Sequence, residues 1–181
     1  MNDSNKDLSF LIENIKTELI KRKKHISDKE WSALNNLIEG IVNPIPNIPP
    51  ALWITIMSKV VATSVELVLI RDGRALLTFR DDKYFTGLHF PGTFISPGET
   101  LIEAAKRCGQ KELGIKINSA EPFGKPIIHS NITRFDCSSI LLQCTSDEKP
   151  KSGEWHNKCP ESIIKEQEKY WQYIEPLLRN T

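Results

Sequence analysis

The chain has 181 residues, 39% of them hydrophobic and 26% charged, with 24 Lys and Arg against 23 Asp and Glu and a net charge of +1. That length fills one buried core, or one domain with a small extension, and leaves two full domains crowded. The balanced charge gives no bulk attraction to nucleic acid, so no nucleic-acid partner is expected and any electrostatic effect has to be local.

The opening stretch MNDSNKDLSF places acids where a secretion signal carries basic residues ahead of an apolar run. The most apolar window, ALWITIMSKVVATSVELVLI, is broken by Ser58, Lys59, Thr63, Ser64 and Glu66, so no membrane span is expected. Cys108, Cys137, Cys144 and Cys159 are scattered without a C-x-x-C pair, as suits free thiols in a reducing compartment. His156 and Cys159 stand three apart in HNKC but lack the second ligand pair of a structural zinc. The expected compartment is the cytoplasm.

Residues 7–42 read as two short amphipathic helices. In the first, Leu8, Leu11, Ile12, Ile15 and Leu19 recur at helical spacing and KRKKH crosses its polar end. The second opens on a capping box, Ser27 with Glu30, and continues with Trp31, Leu34, Leu37, Ile38 and Ile41 on one face. Apolar stripes of this kind pack on each other and on a main domain; the sharper reading is a dimerisation or lid element. The basic run of residues 21–24 reads as a solvated face. NPIPNIPP, with four prolines in eight residues, is stiff and extended. The expected organisation is a helical extension over 1–42, a proline-rich linker over 43–50 and a main domain over 51–181.

Within the main domain, SVELVLIR and ALLTFR flank an Asp72-Gly73 turn and predict a β-hairpin. The apolar segment LHFPGTFI leads into a helix predicted over 101–113, opened by the capping box of Thr100 with Glu103 and ended by Gly114. At about 100° per residue, Cys108, Lys111 and Glu112 share one face of that helix, and Glu103 points away from Glu112. Gly109 costs about 1 kcal/mol of helix stability relative to alanine, with no catalytic reason for it in the sequence. Strand-like runs follow at GIKI, KPIIHSNI and RFDCSSILLQC, then a polar loop, TSDEKPKSGEW. A closing helix is predicted from near Pro160, with Ile163, Ile164, Trp171, Ile174, Leu177 and Leu178 on its buried side. This order predicts an α+β fold, a mixed sheet with helices on its faces.

The run GTFISPGETLIEAAKRCGQKELGI resembles the signature of the Nudix hydrolase superfamily. In words, that signature is a glycine, five residues, Glu, seven residues, Arg-Glu, an apolar residue, one residue, Glu-Glu, one residue, Gly and an apolar residue. Glu99, Arg107, Glu112, Gly114 and Ile115 match it, and Gly98-Glu99-Thr100, Glu103-Ala104-Ala105 and Phe90-Pro91-Gly92 match its frequent neighbours. The resemblance implies an α/β/α sandwich with a mixed β-sheet over residues 60–178, beside the short helical extension. The departures are Thr93 for the signature glycine, Cys108 for the Glu after the arginine, Gly109 for the apolar position and Lys111 for the first Glu of the pair. In the family those glutamates ligate Mg²⁺ or Mn²⁺ and one often serves as general base; two of the three are replaced here.

A magnesium ion completes its six-oxygen shell with substrate phosphates and water when protein ligands are few. The resemblance therefore implies one ion, largely delivered with substrate and held by Glu112 and the backbone carbonyl of Gly92. The GDP-mannose mannosyl hydrolase branch is similar in lacking the same two glutamates; it works with one ion and displaces the diphosphate from sugar carbon. Its base is a histidine in the loop before the last helix, near Lys151 and Ser152 here. This loop offers Glu148, Glu154 and His156 instead, with Glu148 and Glu154 as candidates for orienting water. Glu99 and Arg107 correspond to a structural pair tying loop to helix. Lys111 reads either as a point charge for phosphate or as a partner of Glu112. Cys108 reads as a small residue packing on the sheet rather than as a nucleophile. Tyr84, Phe85, His89 and Phe123 suit base stacking and packing equally. The function implied is hydrolysis of a nucleoside diphosphate linked to another moiety, for example an NDP-sugar. The alternative is a catalytically impaired Nudix-fold nucleotide-binding or regulatory protein. The partners expected are a small nucleotide and, through the N-terminal helices or the main domain, a second copy of the chain.

Overall fold

A computed structural model describes residues 50–130 and 135–179, together with residues 27, 29, 30, 32, 33 and 36. The chain divides into two units, Met1–Lys59 and Val60–Thr181. In the first, the predicted capping box is formed: the Glu30 N–H donates to Ser27 Oγ at 3.4 Å and the Ser27 N–H to Glu30 Oε2 at 2.9 Å. The apolar stripes of the two predicted helices and the basic run 21–24 lie outside the described residues. Helix α1, Pro50–Met57, opens on a proline, whose missing N–H is no loss in a first helical turn. Among the described residues no helix is long and apolar enough to cross a membrane.

The second unit is a mixed sheet with helical elements on both faces, the α+β sandwich expected. Its strands are β1 (Ala62–Arg71), β2 (Arg74–Asp81), β3 (Thr86–His89), β4 (Gly92–Phe94), β5 (Ser119–His129), β6 (Cys137–Thr145) and β7 (Glu154–His156). They run in the order β3-β2-β1-β6-β5, with β4 also on β1 and β7 on β2. Strands β1 and β6 are parallel, and the other pairs are antiparallel. The β1–β2 hairpin forms at the predicted turn, where Asp72 and Gly73 both take left-handed φ, 52° and 66°, as a two-residue hairpin loop requires. One edge of β1 is shared: β4 pairs at Ser64, Val65 and Glu66, and β2 at Ile70 and Arg71.

Because β1 is central it is buried on both faces from Ser64 to Leu69, as a strand covered on both sides must be. Val65, Leu67 and Leu69 pack with Ala104, Ala105 and Cys108 of helix α2 (Leu101–Cys108). On the other face Val68, Leu77, Leu88 and Phe90 pack with Trp171 and Ile174 of helix α3 (Trp171–Leu178).

Three expectations change. GIKI is not a strand: after Gly114 at φ 64° the chain runs irregularly, and Ile115 and Ile117 are buried against α2. The strand placed at KPIIHSNI starts earlier, at Ser119, with an irregularity between Phe123 and Ile127. The closing helix does not start near Pro160, because β3 uses the main chain there: Leu88 N–H donates to Ser162 O and Ile164 N–H to Leu88 O, both at 2.8 Å. A 3₁₀ turn, Lys165–Tyr170, precedes α3. Ile163, Ile164, Trp171, Ile174 and Leu178 are buried as expected, Leu177 only half so, and Tyr170, outside the expected face, is the largest fully buried side chain among the described residues.

The predicted helix over 101–113 forms with its Thr100–Glu103 box but changes pitch. Residues Gly109–Leu113 make a π turn that ends at Gly114. A Cβ on Gly109 would lie 2.6 Å from Ile117 Cγ1, so packing on the core is the reason for that glycine. Single π turns inside helices recur at functional sites, and this one carries Lys111 and Glu112.

Candidate active site

Glu66 and Gly92 are register partners across β1 and β4. The Leu67 N–H donates to Pro91 O at 2.7 Å and the Ile95 N–H to Thr63 O at 3.0 Å. By antiparallel alternation Glu66 and Gly92 are then a non-hydrogen-bonded pair, and the Gly92 N–H and C=O both face away from β1. The Gly92 N–H faces the Glu112 carboxyl and lowers it, so the Gly92 carbonyl opens on the same side. Glu66 comes from the other direction: a Cβ on Gly92 would collide with Glu66 Oε2. Glycine is required here by the approach of a carboxylate. Two acids thus meet at one backbone position.

Glu66 is 7% exposed. Ser64 Oγ and Ser139 Oγ donate to its Oε1 at 3.0 and 3.2 Å, and Gln167 Nε2 donates to its Oε2 at 3.3 Å. Burial pushes its carboxyl up to about 8 from 4.5; the two serines lower it and the nearby charge of Glu112 raises it further. Burial also raises Glu112, against the lowering effects of the Gly92 N–H, Lys111 and Arg80. Both acids line a cavity of about 760 Å³ that also takes in Lys111, Arg80, His89 and Phe85. Arg80 is held by Asp82, with Nε to Oδ2 at 2.6 Å, and lies over the Phe85 ring at 5.1 Å.

Beside the cavity, Arg107 is a four-way clamp. Its Nε and Nη2 donate to Glu99 Oε1 and Oε2, both at 2.7 Å, its Nη1 to Thr93 Oγ1 at 2.9 Å and its Nη2 to Phe94 O at 2.8 Å. The guanidinium holds the Glu99 carboxyl below the usual carboxylate range. Bidentate charge-assisted pairs are the strong kind, and Thr93, at the signature-glycine position, adds a bond that glycine has no atoms to make.

Residues 61–157 match the family model of the NUDIX domain, more than half of the chain. The chain belongs to the NUDIX domain family. The low-salt glycan biosynthesis protein Agl8 of Haloferax volcanii is 34% identical to it over 82 residues, 45% of this chain and 53% of Agl8. The chain therefore spans about half the length of that curated relative. Similar solved structures include a MutT from a study of the Aliivibrio salmonicida and Vibrio cholerae proteins, 17% identical, covering 64% of this chain and 98% of that one with a TM-score of 0.48. Another is a NUDIX-family hydrolase from Clostridium perfringens, 16% identical, covering 66% and 99% with a TM-score of 0.48.

In this NUDIX domain the structure brings Gly92, Lys111 and Glu112 together at the cavity, with Glu99 and Arg107 joined beside it. It does not bring Glu148 or Glu154 there. Glu148 Oε2 accepts the Lys116 N–H at 2.9 Å, and Glu154, exposed on β7, lies 3.6 Å from His156 Nε2. Instead Ser152 reaches the wall of the cavity, its Oγ donating to the Glu112 carbonyl at 2.8 Å. Cys108 is 1% exposed and burial raises its thiol far above the ordinary range, so it is a packing residue without nucleophilic character. Of the aromatic candidates Phe85 and His89 line the cavity, Phe123 packs beside the Trp171 cluster, and Tyr84 lies under Lys83 Nζ at 4.7 Å.

Glu66 is the acid that reading the sequence passed over. Its signal lay in the strand itself, a lone acid between the apolar Val65 and Leu67–Ile70. With Glu66 added, the donor set is two carboxylates and one carbonyl, all oxygen. Among the described residues no group of three or more His, Cys, Asp or Glu side chains gathers to hold a metal. A buried acid, a half-buried one and a carbonyl make the all-oxygen kind of donor set that suits a hard divalent cation, with substrate and water completing its shell.

Proposed function

We propose that this chain hydrolyses a nucleoside diphosphate linked to another moiety, an NDP-sugar being the favoured form, with one Mg²⁺ or Mn²⁺. The observation that carries the reading is the meeting of Glu66 and Glu112 at Gly92 in a cavity whose cations are Lys111 and Arg80. Glu112 and the Gly92 carbonyl would hold the ion, which supplies charge neutralisation at the diphosphate when bound. Lys111 and Arg80 face phosphate oxygens, Arg80 pre-oriented by Asp82 and Phe85. Glu66 takes the role of moving or orienting the proton of water, in preference to Glu148 and Glu154, because it lines the cavity and they do not. The sugar is favoured by the likeness to Agl8, a glycan biosynthesis protein, and by the likeness of the altered signature to that of the GDP-mannose mannosyl hydrolases.

The test is turnover of NDP-sugars, ADP-ribose, dinucleoside polyphosphates and nucleoside triphosphates with Mg²⁺ or Mn²⁺, by the natural chain and by Glu112→Gln. The expected result is turnover of an NDP-sugar that falls by roughly 100-fold or more in the variant. Turnover of none of these, with nucleotide still bound, leaves the catalytically impaired binding protein as the reading. Turnover untouched by the substitution overturns the role of Glu112. Running the reaction in ¹⁸O water shows whether phosphate or sugar takes up the label, and so whether attack falls on phosphorus or carbon.

A further inference from the structure

The residues after the family-matched span reach back into its site. Main-chain bonds of Ser162 and Ile164 with Leu88 fix the approach of this segment, and the 3₁₀ turn Lys165–Tyr170 follows. Three residues make one turn of such a helix, so side chains three apart are eclipsed on one face. Gln167 and Tyr170 are three apart, and both point at the polar face of β1.

Each serves one oxygen of the same carboxyl. Gln167 Oε1 accepts the Phe90 N–H at 2.7 Å; this fixes the amide's orientation and leaves Nε2 to donate to Glu66 Oε2 at 3.3 Å. Tyr170 Oη donates to Ser139 Oγ at 2.9 Å, and Ser139 Oγ donates to Glu66 Oε1 at 3.2 Å. The Tyr170 hydroxyl is itself held at 2.9 Å from His129 Nε2, and its ring packs against Phe90 at 6.0 Å. A long side chain free to turn would leave Gly92; two opposed arms keep it there.

We propose that Gln167 and Tyr170 are positioning residues for Glu66, Gln167 directly and Tyr170 through Ser139, so that the 3₁₀ turn outside the family-matched residues sets the geometry of the active site. The kinetic half of this inference rests on the hydrolase reading above; the structural half does not.

The experiment has an arm for each. Kinetics compares Tyr170→Phe and Gln167→Met, each in the natural chain and in a Glu66→Gln background. Each single variant is expected to lower kcat about tenfold, the scale of one hydrogen bond, with KM within about twofold. In the Glu66→Gln background neither is expected to cost anything further, because its effect passes through the lost carboxylate. Unchanged kcat, or the same loss in both backgrounds, overturns the proposal: the second result belongs to a merely structural role. Ser139→Ala replaces Glu66→Gln as the background for Tyr170 if the Glu66 variant does not fold. The second arm follows the Gln167 side-chain amide by NMR, without substrate. Glu66→Ala is expected to shift its resonances and Glu148→Ala to leave them in place. If nothing is turned over, the hydrolase reading fails on its own, and an amide unmoved by Glu66→Ala overturns the positioning role independently.

Discussion

The two faces of strand β1 are built to opposite specifications. Val65, Leu67 and Leu69 offer α2 a dry surface, none of them more than 4% exposed. Ser64 and Glu66, alternating with them, turn a hydroxyl and a carboxyl into the cavity and are met by Ser139, Gln167 and, one residue further back, Tyr170. The helix that carries the family signature packs on the dry face, and its last, π-wound turn brings Glu112 to the exposed edge of Gly92. The signature thus covers the packing of helix on sheet and brings Lys111 and Glu112 to the cavity, while much of the cavity's other polar lining, Ser64, Glu66, Ser139 and Gln167, has no place in it.

Single substitutions on the two faces test that division most strongly. Leu67→Ala removes a fully buried side chain and is expected to cost about 2–5 kcal/mol, read from chemical denaturation, with kcat per folded molecule unchanged. Glu66→Ala is expected to do the reverse: turnover falls by roughly 100-fold, while stability at neutral pH holds or rises because an acid buried at a cost is gone. If Leu67→Ala lowered kcat as much as Glu66→Ala, or Glu66→Ala unfolded the chain, the faces would not be separate in function.

The pH dependence of stability sharpens the same contrast. Burial raises Glu66 to about 8 from 4.5, so the folded chain keeps a proton that the unfolded chain releases. Stability should therefore fall as pH climbs above about 5 and stop falling above about 8, by an amount of the order of a few kcal/mol for metal-free protein. Thermal unfolding across pH 5–9 reads the slope, and Glu66→Gln should flatten it. An unchanged slope in that variant would assign it to other groups.

What the sequence made legible was local. The Asp72-Gly73 hairpin, the Thr100–Glu103 box, the Gly114 stop and the Glu99–Arg107 pair are all written within a few residues or one helix, and periodicity named most of the residues that α3 buries. Meanings that depend on a distant partner were not legible. Glu66 is one charge in a strand until β4 brings Gly92 against it and the 3₁₀ turn brings Gln167. Glu148 and Glu154 lie in the loop where an acid was expected, but the Lys116 amide captures the first and the pairing of β7 with β2 turns the second outward. GIKI alternates like a strand, yet no neighbouring strand takes up its main chain.

Gly109 gives the finest test, because on the dry face a single methyl group should decide the sign of an effect. Alanine is preferred to glycine in a helix by about 1 kcal/mol, so helix propensity alone makes Gly109→Ala stabilising. Against that, the new Cβ would sit 2.6 Å from Ile117 Cγ1, and Ile117 has no exposed surface through which to yield. Overpacking of this kind costs about 1–3 kcal/mol, so the net expectation is a loss of about 1 kcal/mol, measured by denaturant unfolding. Ile117→Ala removes the two nearest obstructing atoms and leaves only the Ile115 carbonyl oxygen, at 3.3 Å. In that background Gly109→Ala should become neutral or stabilising, a change of sign that steric contact with Ile117 produces and that a need for glycine in the π turn itself would not.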